Sequence, residues 1–418
     1  MEKVIFNELV KNSKAVLLKG QDLSPSYQEA MKSALGVFEK SGIPTKKNED
    51  WKYTNIGAHL SPRFYQMNES IISDVPKSVL DKQGMIIFNN GIFNKFLSVL
   101  PAGIELDSLS PEEKFFDTFD SLNFGVAISP LAIKIKKNSV IKFPISIIHL
   151  VDDVGVNKMI SPRLSISVEE NSKASFVEIF ESTNNDLFQY TTNAVTKFNL
   201  LPNSYIEHVK IQTEAANSVH IGLTNANVAA NATFRSVTVD LGMLTARHNI
   251  NVALNAPAAE TSVHGLFAIK KSEHTDVFST ITHFAPHTNS DQLFKGILGG
   301  ESHGIFTGKI IVKQDAQQSN SSQLNKNLVL SKKAHIDTRP QLLVHADDVK
   351  CSHGATIGQL SFDEEFYLES RGIAKERAKR MLCYGFAADA LYKIENDEIR
   401  NFAINLVTEN FEKTALID

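Results

Sequence analysis

From roughly Ile133 to Leu360 the chain is a succession of short segments in which apolar and polar residues alternate, and no other feature of the sequence restricts the fold as strongly. Leu164-Ser-Ile-Ser-Val168, Ala174-Ser-Phe-Val-Glu-Ile-Phe180, Tyr205-Ile-Glu-His-Val-Lys-Ile211, Thr233-Phe-Arg-Ser-Val-Thr-Val239 and Asn249-Ile-Asn-Val-Ala-Leu254 all show it. A period of two places every second side chain on one face of a sheet, so each segment reads as a strand with a buried face. The segments recur at roughly 10 to 15 residues, with Asn, Ser, Gly and Lys in the connections. So many strands with almost no helix between them argue against a doubly wound α/β sheet and leave a β-solenoid or a large sandwich. The repeat is not strict, and periodicity does not separate these two.

The flanks read differently, and the predicted division is residues 1–120, 121–360 and 361–418. In the first part, Ser24-Pro25 supplies an N-cap and a proline at the first helical position. Tyr27, Met31, Ala34, Leu35 and Phe38 then recur at helical spacing until Gly42-Ile43-Pro44. After Trp51 the text is mixed, with a strand Met85-Ile-Ile-Phe88 that enters an Asn89-Asn90-Gly91 turn and returns through Ile92 and Phe93. This is a small α/β-like region. At the other end Ser361-Phe-Asp-Glu364 is a capping box for a short helix ending near Arg371-Gly372. A second helix is predicted from about Ala374 to Ile394, with Ala378, Met381, Leu382, Gly385, Phe386 and Ala390 on one face. Asn396 caps a third with Ile399, Phe402, Ala403, Leu406, Val407 and Phe411 along its stripe. Such stripes bury each other and the end of the β domain, or offer a partner surface.

Composition removes several function classes. With 43 basic against 47 acidic residues and a formal net charge of −4, nothing calls for nucleic acid or an anionic membrane as partner. The first ten residues mix charges into their apolar positions, unlike a secretory signal, and apolar runs such as Ile145 to Val151 fall far short of a membrane span. A cytoplasmic protein is expected. The two cysteines, Cys351 and Cys383, make no disulfide framework, and each is core filler or functional.

Candidate chemistry concentrates in Ala346-Asp-Asp-Val-Lys-Cys-Ser-His-Gly-Ala-Thr-Ile-Gly358. On a strand, Cys351 and His353 point the same way and can hold one soft or borderline metal, whereas Lys350 points to the opposite face. Two ligands do not close a site, so another chain must complete it or the binding is transient. His283 and His287 have metal-pair spacing only on a helix, and Pro286 makes a turn instead. His264, His274 and His303 are scattered, with no carboxylate at a repeated offset. No G-x-x-x-x-G-K-[ST] loop and no G-x-S-x-G elbow occur, so neither ATP hydrolysis nor serine hydrolase chemistry is expected.

Several stretches carry a family resemblance: Glu49-Asp-Trp-Lys-Tyr-Thr54, His283-Phe-Ala-Pro-His287, Gln292-Leu-Phe-Lys-Gly-Ile297, Gly304-Ile-Phe-Thr-Gly-Lys309, Asp315-Ala-Gln-Gln318, Gln323-Leu-Asn-Lys-Asn-Leu328 and Cys351-Ser-His-Gly-Ala-Thr356. Over nearly its whole length the chain resembles the SufB/SufD family of iron–sulfur cluster assembly, and the SufD branch in particular. The resemblance implies a mainly β fold, with a right-handed parallel β-helix core between an N-terminal α/β-like region and a C-terminal helical region. It implies a non-catalytic scaffold that pairs with SufB through the β-helix and docks the SufC ATPase through its C-terminal helices. A homodimer is implied as an option for the isolated chain. It further implies that His353, with Cys351 as companion, contributes to a nascent cluster site at the SufB interface. No cofactor is then held tightly by the isolated chain, and iron or a cluster is bound transiently in the complex. Leu343 follows Pro340-Gln341-Leu342 where many relatives carry an acidic residue, so a carboxylate ligand is not expected there. The alternatives are a SufB-like paralogue, a purely structural homodimer, and a β-helix enzyme acting on acidic polysaccharide. The last needs more carboxylates than Asp347-Asp348 supply.

Overall fold

Each strand of the central region pairs in parallel not with its neighbour in sequence but with the strand two further on. Tyr205–Thr213 lies between Lys173–Ser182 and Thr233–Asp240, and Val219–Val228 lies between Thr191–Leu200 and Thr245–Leu254. The chain therefore winds between two ten-stranded sheets, and this pairing decides for a parallel β-solenoid over a sandwich. The front sheet ends in the strand His335–Val344 and the back sheet in Val349–Gly358. The computed structural model describes residues 2–17, 23–57, 59–64, 74–112, 114–183 and 188–413.

One corner of the solenoid explains the asparagines in the connections. Asn138, Asn171, Asn203 and Asn231 have φ of 60°, 58°, 61° and 54°, the left-handed region that Asn tolerates better than most residues. They stack: Asn171 Nδ2 donates to Asn138 Oδ1 at 2.9 Å and Asn203 Nδ2 to Asn171 Oδ1 at 3.1 Å. Further along, Ala258, His287 and Gln318 hold the same conformation, which places His287 in a turn and not on a helix.

Inside, the half next to this corner is apolar, with Phe176, Phe198, Ile206 and Phe234 packed between the sheets. The half next to the opposite corner is polar. There Glu178 accepts from His149 and His208 at 2.9 Å each and from Thr196 at 2.7 Å, and Lys210 lies 2.9 Å from His220.

The outer faces are covered by helices. α1 (Glu2–Leu17), α2 (Pro25–Ser41) and α3 (Thr118–Val126) pack with Trp51 against Val219 and Ile221 of the front sheet. Ser24 Oγ caps α2 through Tyr27 N, and the five predicted apolar positions are buried. No helix was predicted before Ser24. Leu9, Ser13 and Val16 are buried at helical spacing in α1, but the interleaved charges conceal that stripe. α3 spans the expected 120/121 boundary, and Met85–Asn89 from the first segment pairs in parallel with Ile145–Val151, so it belongs to the back sheet.

α4 (Phe362–Ser370), α5 (Lys375–Leu391) and α6 (Asp397–Lys413) follow the last strand. α5 and α6 lie along the outer face of the back sheet, against Val177, Ile179, Val209 and Val237, and leave the end of the solenoid bare. α6 buries Ile399, Ala403, Val407 and Phe411 as predicted. α5 buries the predicted Ala378 and Ala390, but its face is turned so that Cys383 and Ala387 are buried beside them while Met381 is 44% exposed. Small residues let the helix approach the sheet closely, which the bulkier predicted stripe would not.

Candidate functional site

The strand Val349–Gly358 is the last rung of the back sheet, and among the described residues it pairs on one side only, with Ser319–Val329. His335–Val344 closes the front sheet in the same way. Two adjacent strand edges therefore present unpaired backbone donors and acceptors.

Register fixes what the side chains of the last rung are. Cys351 stands opposite Ser321 and His353 opposite Gln323, which in turn stand opposite Ser290 and Gln292. In those lower rungs the positions face the interior. Ser290 and Ser321 are 2.8 Å apart, His283 Nε2 lies 2.9 Å from Ser290, and Gln292 Nε2 donates to Ser279 at 2.6 Å. Cys351 and His353 continue these interior columns, but among the described residues no rung stacks above them. His353 is exposed, and Cys351 is half-buried against a cluster containing Ile310, Val312 and Ala346. Burial pushes the Cys351 thiol above its ordinary value, so a metal rather than a positive neighbour is what would favour the thiolate. Lys350 and Ser352 line the opposite, outer face with Asp291 and Lys393, as strand alternation requires. Thus the rung offers one soft sulfur and one imidazole toward an open end, two donors where a closed metal site or cluster takes more.

The other singled-out histidines divide. His283 is a buried, satisfied imidazole, with Nδ1 2.7 Å from Thr288 as well as Nε2 on Ser290, and burial lowers its pKa to about 4. His264 is likewise lowered to about 4, chiefly by burial, and lies 3.7 Å from Asp291. His274 and His303 are not scattered. They stand in register at the start of successive front-sheet strands, with His335 next in line. Asp276 and Asp337 sit two residues after His274 and His335, the repeated carboxylate offset not recognised in the sequence. The missed signal was the length of one turn: His274 and His303 are 29 residues apart and His303 and His335 are 32, and no short motif spans that.

Residues 150–386 match the family model described as SUF system FeS cluster assembly, SufBD core domain. The chain belongs to the SufBD family. Its role is accordingly in iron–sulfur cluster assembly, and the matched SufBD core runs through the solenoid, the Cys351/His353 rung and into α5. Among relatives, an iron–sulfur cluster assembly SufBD family protein of Synechocystis is 31% identical over 94% of this chain and 94% of its own length. SufD of Escherichia coli is 28% identical over 91% of this chain and 92% of its own, and a chloroplastic protein of Arabidopsis thaliana is 29% identical over 87% and 82%. Among the described residues of this SufBD chain, no helix is long and apolar enough to cross a membrane.

Proposed function

We propose that this chain is a non-catalytic scaffold subunit of a SufBCD-type complex, and that it lends His353, with Cys351, to a cluster assembled at the interface with a SufB-type partner. The observation that carries this is the uncapped last rung: a thiol and an imidazole on the interior columns, beside two unpaired strand edges, on a chain of a cluster-assembly family. A partner that extends those edges would bury the pair and supply the missing ligands. A second copy could occupy the same edges when the chain is alone, giving a homodimer. The nascent cluster is cargo here, not a resident cofactor.

ATP hydrolysis in such a complex falls to a SufC-type ATPase, since this sequence has no phosphate-cradling loop. The C-terminal helices suit its docking. α4 buries none of its residues, and Phe362, Phe366 and Tyr367 are 76%, 62% and 56% exposed.

The test is His353→Ala in the complex isolated anaerobically with SufB- and SufC-type partners. The expected result is an assembled complex with most of its bound iron and sulfide lost, and a smaller loss for Cys351→Ala. Unchanged iron and sulfide in an intact His353→Ala complex would overturn the proposal.

A further inference from the structure

The histidine column of the front sheet lies away from the terminal rung's thiol and is not explained by cluster assembly. His274, His303 and His335 occupy one register position on three successive strands, and their rings follow one another at centroid distances of 5.0 Å. A column of imidazoles needs no partner to be stable, but this one ends on a carboxylate. Asp337 Oδ2 lies 2.8 Å from His303 Nε2 and 3.3 Å from His335 Nε2. The ligand atoms of all three residues fall within 4.8 Å of one another.

We propose that His303, His335 and Asp337 bind a divalent first-row transition-metal ion on the outer face of the front sheet. The distances fit. With metal–ligand bonds of about 2.0–2.2 Å, neighbouring ligands in octahedral or tetrahedral geometry stand about 2.8 to 3.6 Å apart. Both spacings from Asp337 Oδ2 to the imidazoles fall in that range, so a metal could take the place of the proton in the His303–Asp337 hydrogen bond. The donor set is two neutral imidazoles and one carboxylate without a thiolate. That favours Fe(II), Co(II) or Zn(II) over Mg(II) and Ca(II), which prefer oxygen alone, and over Cu(I), which prefers sulfur.

The surroundings favour a cation. No Lys or Arg pairs with Asp337 among the described residues; its ion-pair partners are the two imidazoles. The neighbouring guanidinium of Arg339 is engaged by Glu49. His274 backs the column from below. It is half-buried, and its Nε2 is 3.1 Å from Thr54 Oγ1. Side-chain exposures of 29% for His303, 65% for His335 and 22% for Asp337 leave the site open for water or a further ligand.

The experiment titrates Co(II) into the full-length chain after chelation, in a Cys351→Ala/His353→Ala background so that the terminal rung cannot contribute. Expected is one Co(II) per chain with visible ligand-field bands and no thiolate charge-transfer band. His303→Ala, His335→Ala and Asp337→Ala should each weaken binding about tenfold or more. His335 is the most exposed of the three, so its loss of binding should come with an unchanged far-ultraviolet spectrum and melting temperature. Absence of stoichiometric Co(II) binding in the background protein, or His335→Ala and Asp337→Ala forms that bind Co(II) as tightly as the background protein, would overturn the assignment. Either result leaves the terminal-rung proposal untouched, because its residues are absent from the assay.

Discussion

His208 and His353 belong to the same interior column of the solenoid. Register runs from His208 through Ser236, Val263, Gln292 and Gln323 to His353. At the lower position the imidazole is fully buried and held by Glu178, which also takes His149 and Thr196. At the upper position the same residue type is exposed, because the stack ends there. Position in the stack, not residue identity, thus decides whether a histidine serves structure or remains available to a ligand. Inside, a charged group without its partners would carry a large desolvation penalty. At the end, water meets that requirement until a partner does.

The strongest way to break this comparison is Glu178→Ala. The carboxyl of Glu178 is held well below the usual carboxylate range: burial opposes this, but the hydrogen bonds and charges of His149 and His208 outweigh it. Removing it strands two buried imidazoles, and a loss of about 3 to 5 kcal/mol in urea unfolding is expected. A loss below about 1 kcal/mol would mean that the interior network is not structural.

Next comes a pH effect at His283. Burial lowers its pKa to about 4, below the unfolded value of about 6.5. The unfolded chain therefore binds the extra proton first. The contribution is fully present above about pH 6.5 and is lost as pH falls from there to about 4, at most on the order of 3 kcal/mol. His264 and His274 are lowered to about 4 as well, so His283→Gln should flatten the curve by one proton and not abolish its slope. A slope unchanged between pH 4 and 6.5 would contradict this.

A smaller effect is expected at the asparagine corner. Asn203→Ala keeps the strands and the β-carbon at φ 61° but removes the polar side chain whose local hydrogen bonding lets Asn tolerate that angle, at a cost of about 1 to 2 kcal/mol, whereas Asn203→Gly, with no β-carbon, should be nearly neutral. Equal melting temperatures for the two would show that the side-chain stack, not the backbone angle, sets the corner. The smallest effect is expected at His353. Exposed on the last rung, its replacement by Ala should change the stability of the isolated chain by less than about 0.5 kcal/mol. A larger loss would return His353 to the structural class of His208.

Local chemistry made much of this legible. The period-two strands, the Ser24 and Ser361 caps, the Asn396 cap and the α6 stripe follow from neighbours within a few residues, and all lie where the sequence placed them. The Cys351/His353 pair was legible for the same reason, since residues two apart on a strand share a face. α1 was not, because its charges mask a stripe that only the packing against Trp51 and the front sheet selects. Nor was the true face of α5. His335 and Asp337 were invisible as partners of His303, because their proximity is created by the turn length of the solenoid.

By itself, then, the amino-acid sequence determined that strands alternate and where helices begin, because those depend on dihedral preference and periodicity along a short stretch of chain. The family resemblance added the expected partners and a role for the Cys351/His353 pair. Only the tertiary structure decided that the strands stack in register, that Cys351 and His353 crown the stack, and that His303 joins His335 on one oxygen of the Asp337 carboxylate. The physical reason is that burial and coordination are properties of a column, and a column exists only once each turn has been laid on the one before it.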